Sequence, residues 1–157
     1  MIDTHSHIYG PEFDEDRAEV IARAIDSGVD KVLLANVDTS TINEMLSCHR
    51  QYPDFTEMAM GLHPTSVKDD WQTELRSIED ALRRGDKYLS IGEIGLDLYW
   101  DKTYALEQEK ALEQQLDWAI SLDLPVILHI RKAHAEIFKV LNKFKGKSLR
   151  GVFHCFG

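Results

Sequence analysis

The stretch KVLLANV, residues 31–37, decides the fold of this 157-residue chain. Its apolar residues follow one another almost without interruption, whereas a strand with one solvent-exposed face alternates apolar and polar residues. Such a run is typical of a strand that is buried on both faces in a parallel sheet covered by helices. The stretch therefore predicts an α/β protein built on a parallel sheet.

Helical and strand-like segments alternate on both sides of this run. Apolar residues recur at helical spacing over residues 14–27 and stop at Gly28, and Thr41 with Glu44 has the form of a capping box. Strands are expected at residues 1–7, 31–37, 55–63, 88–93, 126–129 and 149–154, and helices at residues 14–27, 41–50, 66–84, 104–122 and 133–144. This alternation predicts parallel strands joined by helical crossovers.

The number of units leaves two architectures open. A (β/α)8 barrel needs about eight strand-helix units and about 250 residues, and six units are present here. The chain is therefore expected to be an open doubly wound sheet or a barrel without its last two units. Its length and its 43% apolar residues suit a single domain over residues 1–157.

The charge balance argues against broad adhesion to nucleic acid or to an anionic membrane. Lys and Arg number 18 against 27 Asp and Glu, which gives a net charge of −9. Cys48 and Cys155 have no C-x-x-C spacing and are expected to be structural thiols in a reducing compartment. No leader-like segment precedes Ile2 and no long apolar run occurs, so we expect a cytoplasmic protein without membrane contact.

Potential metal ligands fall at the carboxyl ends of five of the six expected strands. They are His5 and His7, His63, Glu93, His129, and His154. Because the carboxyl ends of parallel strands meet at one edge of the sheet, this pattern favours a metal site over scattered histidines. A carboxylate with imidazoles on both sides suits two divalent ions, so Glu93 would bridge them. A further Asp on a later strand, as ligand and proton acceptor, is not found before Gly157.

Other residues near these strand ends have two interpretations each. Asp97 and Asp3 could orient ligand imidazoles, although Asp3 could instead cap its own strand. Arg131 would share the side of His129 and could bind a phosphate, or it could be a solvated residue. Tyr99 and Trp100 could stack on a base, or they could pack over the mouth of the barrel.

A basic run lies at the end of the last helix. It consists of Lys139, Lys143, Lys145, Lys147 and Arg150. The run is placed at the amino-terminal face of the sheet, opposite the expected metals, so we interpret it as a solvated face. The basic run is therefore not expected to form a nucleic-acid-binding surface.

Five motifs follow the strands in order and together carry a family resemblance. They are DTHSH at residues 3–7, GLHP at 61–64, GEIGLD at 92–97, LPVILHIR at 124–131 and FHCF at 153–156. The set resembles the TatD family of metal-dependent deoxyribonucleases. The resemblance implies a TIM-like (β/α)8 metallohydrolase barrel, with about six of its eight β/α units in this chain. It also implies hydrolysis of DNA ends with two divalent ions, Mg²⁺ first and Mn²⁺ or Zn²⁺ as alternatives.

The resemblance also assigns roles to individual residues. Metal ligation is implied for His5, His7, Glu93, His129 and His154, and phosphate binding for His63 and Arg131. Glu93, His129 and Arg131 are the implied catalytic residues. The chain departs from the family at Lys132, where an Asp is common, and it lacks the usual Ser before Gly157 and the Asp of the eighth strand.

The leading hypothesis is thus a deoxyribonuclease that acts on DNA ends or single strands. One alternative is an amidohydrolase-like enzyme that cleaves C–N or ester bonds with the same ligands. Another is a catalytically incomplete fragment that binds metal and self-associates, because its first and last strands would be unpaired edges.

Overall fold

Six parallel strands and five helices make up the part of the chain that the computed structural model describes, residues 1–154. The strands are β1 Ile2–Ser6, β2 Lys31–Ala35, β3 Thr56–Met60, β4 Ser90–Asp97, β5 Val126–Arg131 and β6 Gly151–His154. The helices are α1 Arg17–Asp26, α2 Ile42–Gln51, α3 Trp71–Leu82, α4 Ala105–Ser121 and α5 His134–Asn142. Cys155 and the rest of the last motif lie outside the described residues.

The order of the strands decides between the two architectures. Each strand pairs in parallel with the next one along the chain, in the order β1-β2-β3-β4-β5-β6. A doubly wound sheet reverses its order at a switch point, whereas the units of a (β/α)8 barrel follow one another around the axis. The prediction of a TIM-like barrel with six of its eight units is therefore confirmed, and the open doubly wound sheet is not formed.

Burial of β2 shows how the two faces of the sheet differ. Val32 and Leu34 point toward the helices and are buried, whereas Leu33 points to the opposite face and is only partly buried. On that face a groove of about 300 Å³ is open, and it is lined largely by apolar side chains, including Leu89 and Val152. The expected burial of this strand thus holds for the helix-covered face only.

Strand β4 differs most from its prediction. It does not end at Glu93 but continues to Asp97, and its pairing with β5 shifts register between Ile91 and Ile94. Gly95 makes this continuation possible, because it has φ +148° and a Cβ there would lie 2.0 Å from the carbonyl oxygen of His129. Asp97, expected in a loop, is therefore the last residue of a buried strand.

Two helix starts are also corrected. Thr41 makes no side-chain cap to α2; instead the Asp38 side chain accepts from the Ser40 N–H and forms a capping box with Thr41 over a 3-10 turn. Residues 64–66 form another 3-10 turn, so α3 begins at Trp71. In the first loop the Asp38 and Thr41 side chains bond the nearby backbone, and in the second the His63 side chain accepts from the Thr65 N–H.

The basic run lies against an acidic stripe on the preceding helix. Lys139 pairs with Glu109 at 3.0 Å and Lys147 with Asp117 at 3.4 Å, both across the surface between α4 and α5. The interpretation as a solvated face agrees with these exposed pairs. Within residues 1–154, none of the helices is long and apolar enough to cross a membrane.

Candidate metal centre

The carboxyl ends of the strands bring the predicted ligands together around one buried carboxylate. Glu93 projects from β4, and its side chain is almost fully buried. Three strands, β1, β5 and β6, and two strand-end loops supply its neighbours. All of the expected ligand side chains in the described residues lie in this cluster: His5, His7, His63, His129 and His154.

The Oε2 atom of Glu93 faces three imidazoles. The Nε2 atoms of His5, His63 and His7 lie 3.2, 3.6 and 3.9 Å from it, respectively. His5 Nε2 and His7 Nε2 are only 3.0 Å apart, as the alternation along β1 leads one to expect for residues i and i+2. This side of Glu93 is therefore rich in nitrogen donors.

The Oε1 atom of Glu93 faces the last two strands. His129 Nδ1 lies 3.0 Å from it, and His154 Nε2 lies 3.9 Å from it. The His154 ring also stacks on the His5 ring, with centroids 3.8 Å apart, so the first and last described strands meet at the cluster. His154 is the more exposed of these two ligands.

The electrostatics follow from burial beside several bases. Burial alone would raise the pKa of Glu93, but hydrogen bonds with His129 and His5 outweigh it and hold the pKa below its usual range. For His129, burial works to lower the pKa, while its hydrogen bonds to Glu93 and Asp97 raise it above the ordinary value. The cluster thus keeps its central carboxylate ionised, as a metal ligand must be.

Asp97 holds the far side of His129. Its Oδ2 lies 3.0 Å from His129 Nε2, and its Oδ1 accepts from the backbone N–H of Tyr99 at 3.0 Å. Asp3 does not have the equivalent position, because its carboxylate accepts from the backbone N–H of His5. Asp97 thus contacts an imidazole directly, whereas the Asp3 carboxylate bonds the backbone of its own strand, and its orienting role stays a prediction.

His63, expected to bind phosphate, lies within the cluster itself, with Nε2 3.6 Å from Glu93 Oε2. Its Nδ1 accepts from the Thr65 N–H at 3.2 Å, which leaves the ring proton on Nε2, facing Glu93. Burial is the main reason why the pKa of His63 falls to about 4. His63, Glu93 and His129 form one group that could hold an ion, and His5, Glu93 and His154 form another.

The Tyr9 hydroxyl contacts His7, and the sequence patterns did not predict this contact. The hydroxyl donates to the Ala35 carbonyl at 2.6 Å, so it can only accept from His7 Nδ1, which is 3.2 Å away. That arrangement puts the His7 proton on Nδ1 and leaves the Nε2 lone pair toward Glu93. Tyr9 lies in the turn that follows β1, so the alternation of side chains along the strand does not predict this contact.

Arg131 ends β5 with its side chain turned onto aromatic rings. The guanidinium carbon lies 3.9 Å from the centroid of Tyr99 and 5.0 Å from that of Trp100. These are cation–π distances. The arginine expected to bind phosphate is thus held on the β4–α4 loop, next to the residue that contacts His129.

The donor set fits divalent ions. Two ligands about 2.1 Å from one ion lie about 3.0–3.4 Å apart, which is the range of the shorter separations in this cluster. His5 Nδ1 is buried and has no hydrogen-bond partner among residues 1–154, so the hydrogen bonds of those residues do not fully satisfy the ring. Imidazole nitrogens and carboxylate oxygens together are ligands for Zn²⁺, Mn²⁺ and related ions.

Comparison with known proteins gives the family. A family model described as TatD related DNase matches residues 2–157. The chain belongs to this family. The resemblance inferred from the five motifs is therefore confirmed.

Two curated relatives show how far the TatD likeness extends. The metal-dependent hydrolase YabD of Bacillus subtilis is 32% identical over 156 residues, which are 99% of this chain and 60% of YabD. The 3'-5' ssDNA/RNA exonuclease TatD of Erwinia tasmaniensis is also 32% identical over 156 residues, with the same coverage of both proteins. This TatD-family chain thus spans about 60% of the length of these relatives.

Solved structures agree with the fold. The crystal structure of YjjV, a TatD homologue from Escherichia coli, has a TM-score of 0.82 and 34% identity, over 91% of this chain and 55% of YjjV. A TatD family hydrolase from Entamoeba histolytica has a TM-score of 0.85 over 99% of this chain and 58% of that protein. At 21% identity, this second likeness supports the fold alone.

Proposed function

We propose that this TatD-family chain carries the metal-binding half of a phosphodiesterase that trims DNA ends or single strands. The observation that carries the proposal is the convergence of five imidazoles on the buried Glu93 carboxylate. The name of the Erwinia relative, a single-strand exonuclease, supports nucleic acid as the substrate class.

Each residue of the cluster has a proposed role. The metal ligands are His5, His7, Glu93, His129 and His154. When bound, divalent ions supply an activated water and stabilise charge on the departing oxygen. Glu93 would bridge the ions, Asp97 would hold the Nε2 proton of His129, and Arg131 with His63 would position the phosphate. Glu93, His129 and Arg131 are therefore the residues proposed for catalysis.

Two ions per chain are proposed because each carboxylate oxygen of Glu93 faces its own proposed ligand imidazoles. The family resemblance suggests Mg²⁺, whereas four imidazole ligands favour Mn²⁺ or Zn²⁺. Calorimetric titration of the metal-free protein with each ion measures how many ions bind per chain and which ion binds most tightly. A single weak site for all three ions would contradict the proposal.

The activity is tested with labelled DNA and small amides, each with and without a chelator. The proposal expects release of nucleotides from single-stranded DNA ends, loss of this release with the chelator, and recovery when metal is restored. Hydrolysis of amides or esters without DNA cleavage would point to an amidohydrolase-like enzyme instead. DNA cleavage that is insensitive to the chelator would exclude the metal mechanism.

The open face of the sheet supports a second proposal, a metal-binding chain that self-associates. Val152 and Phe153 on β6 and Ile2 on β1 are about half or more exposed, and the groove between these edges is largely apolar. Such surfaces are prone to association. We propose that residues 1–157, as one incomplete barrel domain in the cytoplasm, form oligomers with low activity. Light scattering after gel filtration tests this, because an active monomer would contradict it.

A further inference from the structure

An exposed aromatic pair stands beside the metal cluster. Tyr99 and Trp100 follow β4 directly, on the face of the sheet where the ligands lie, and they are 50% and 71% exposed. Their rings meet edge to face, with centroids 4.8 Å apart. Because most of the Trp100 side chain is exposed, little of it packs against the loop, and the ring is accessible to a ligand.

Asp97 links this aromatic pair to His129, one of the proposed ligands. Asp97 contacts His129 with one oxygen and the Tyr99 N–H with the other. Arg131 covers the Tyr99 ring, which leaves Trp100 as the more accessible surface. A group stacked on Trp100 would therefore lie next to the guanidinium and within a short distance of the metal ligands.

A small pocket beside Trp100 holds a second cation, Lys68, whose Nζ is 5.5 Å from the Tyr104 ring centroid. Asp97 and Asp101 also line this pocket, and a carboxylate that accepts a hydrogen bond keeps its negative charge. The pocket therefore offers a phosphate no net positive charge, and Arg131, 5.0 Å from the Trp100 ring centroid, is the cation available next to a group stacked on Trp100.

We propose that Trp100 is the stacking platform for a nucleobase next to the end of a single strand, with Arg131 on a phosphate that flanks it. The inference rests on the proposed function and names its substrate as unpaired nucleic acid. Stacking on an aromatic face between cations is the usual way in which proteins hold single strands without reading their sequence. A base paired in a duplex cannot offer its face in this way, so the platform selects frayed or single-stranded ends.

The test compares the binding of two labelled strands by fluorescence anisotropy, with Mg²⁺ present and phosphorothioate linkages to prevent cleavage. One strand is a short oligothymidylate, and the other has the same backbone without bases at its last positions. Trp100→Ala is expected to weaken binding of the thymidylate strand by about 5- to 150-fold, the range for loss of one stacked base. Binding of the strand without terminal bases should not change.

Two variants complete the design. Trp100→Phe should recover most of the lost affinity, and Ile25→Ala, which removes an exposed apolar side chain of α1, should behave like the wild type. The platform is excluded if Trp100→Ala weakens both strands equally or neither, or if the wild type does not distinguish the two strands. A chain that distinguishes them without chelator-sensitive cleavage keeps the platform and overturns the proposed function. Chelator-sensitive cleavage by a chain that does not distinguish the two strands would keep the proposed function and overturn the platform.

Discussion

Two groups of side chains in this molecule both pair acids with bases but lie in opposite surroundings. The cluster around Glu93 is buried at the carboxyl ends of the strands, whereas Lys139 and Lys147 pair with acids on the surface between α4 and α5. Buried charged groups lose their hydration and are stabilised by their partners, whereas exposed pairs stay hydrated and are screened by salt. We therefore expect substitutions in the cluster to have large effects and those on the surface to have small ones.

The largest effect is expected for Glu93→Gln. The substitution keeps the shape of the side chain and removes the charge shared by both candidate ion groups. Loss of several kcal/mol of metal-dependent stabilisation corresponds to a decrease of about a thousand-fold in nuclease activity. Glu113→Gln on the exposed face of α4 is the matched control. Equal activity of the two variants would remove the contrast between the regions.

A smaller effect is expected for Asp97→Asn. The amide still fits the end of β4 but no longer supplies a full negative charge to His129 Nε2. Loss of such an outer hydrogen bond lowers metal affinity by about 10- to 100-fold. Calorimetric titration with Zn²⁺ measures it, with Asp117→Asn on α4 as the control. Unchanged affinity would mean that Asp97 does not orient the imidazole.

Tyr9→Phe should act through the tautomer of His7. Without the hydroxyl, Nδ1 loses its acceptor, and the Nε2–H tautomer should become populated in the metal-free protein. Nitrogen NMR of the imidazole rings detects this directly, and metal affinity should fall by up to about 10-fold. Tyr88→Phe is the control, since the buried Tyr88 hydroxyl has no hydrogen-bond partner among residues 1–154. Unaltered His7 ring shifts in Tyr9→Phe would refute this role.

The smallest effect is expected for Lys139→Ala. Its partner Glu109 lies 3.0 Å away on the surface, and the lysine side chain is largely exposed. An exposed ion pair contributes less than about 1 kcal/mol, so urea unfolding should change little and metal binding not at all. A change as large as that of a buried variant would show that this surface is coupled to the cluster.

Much of the fold follows from local sequence patterns. Nearly continuous apolar runs indicated the buried strands, and apolar residues at a spacing of 3.6 indicated most of the helices. The errors occur where side chains bond the backbone locally, as at Thr41, or where one glycine permits a close approach, as at Gly95. Periodicity carries no information on these contacts, so β4 was expected to end four residues early.

The sequence by itself determined the order of the parallel strands and the placement of the histidines and Glu93 toward their carboxyl ends, and hence that these residues share one edge of the sheet. Only the tertiary structure decided which atoms meet. His63 lies with Glu93 and His129, Tyr9 accepts from His7, and Arg131 turns onto Tyr99. These contacts depend on the register and twist between strands that are distant in sequence. A change of about one or two ångströms in the position of a side-chain atom decides whether it can be a ligand.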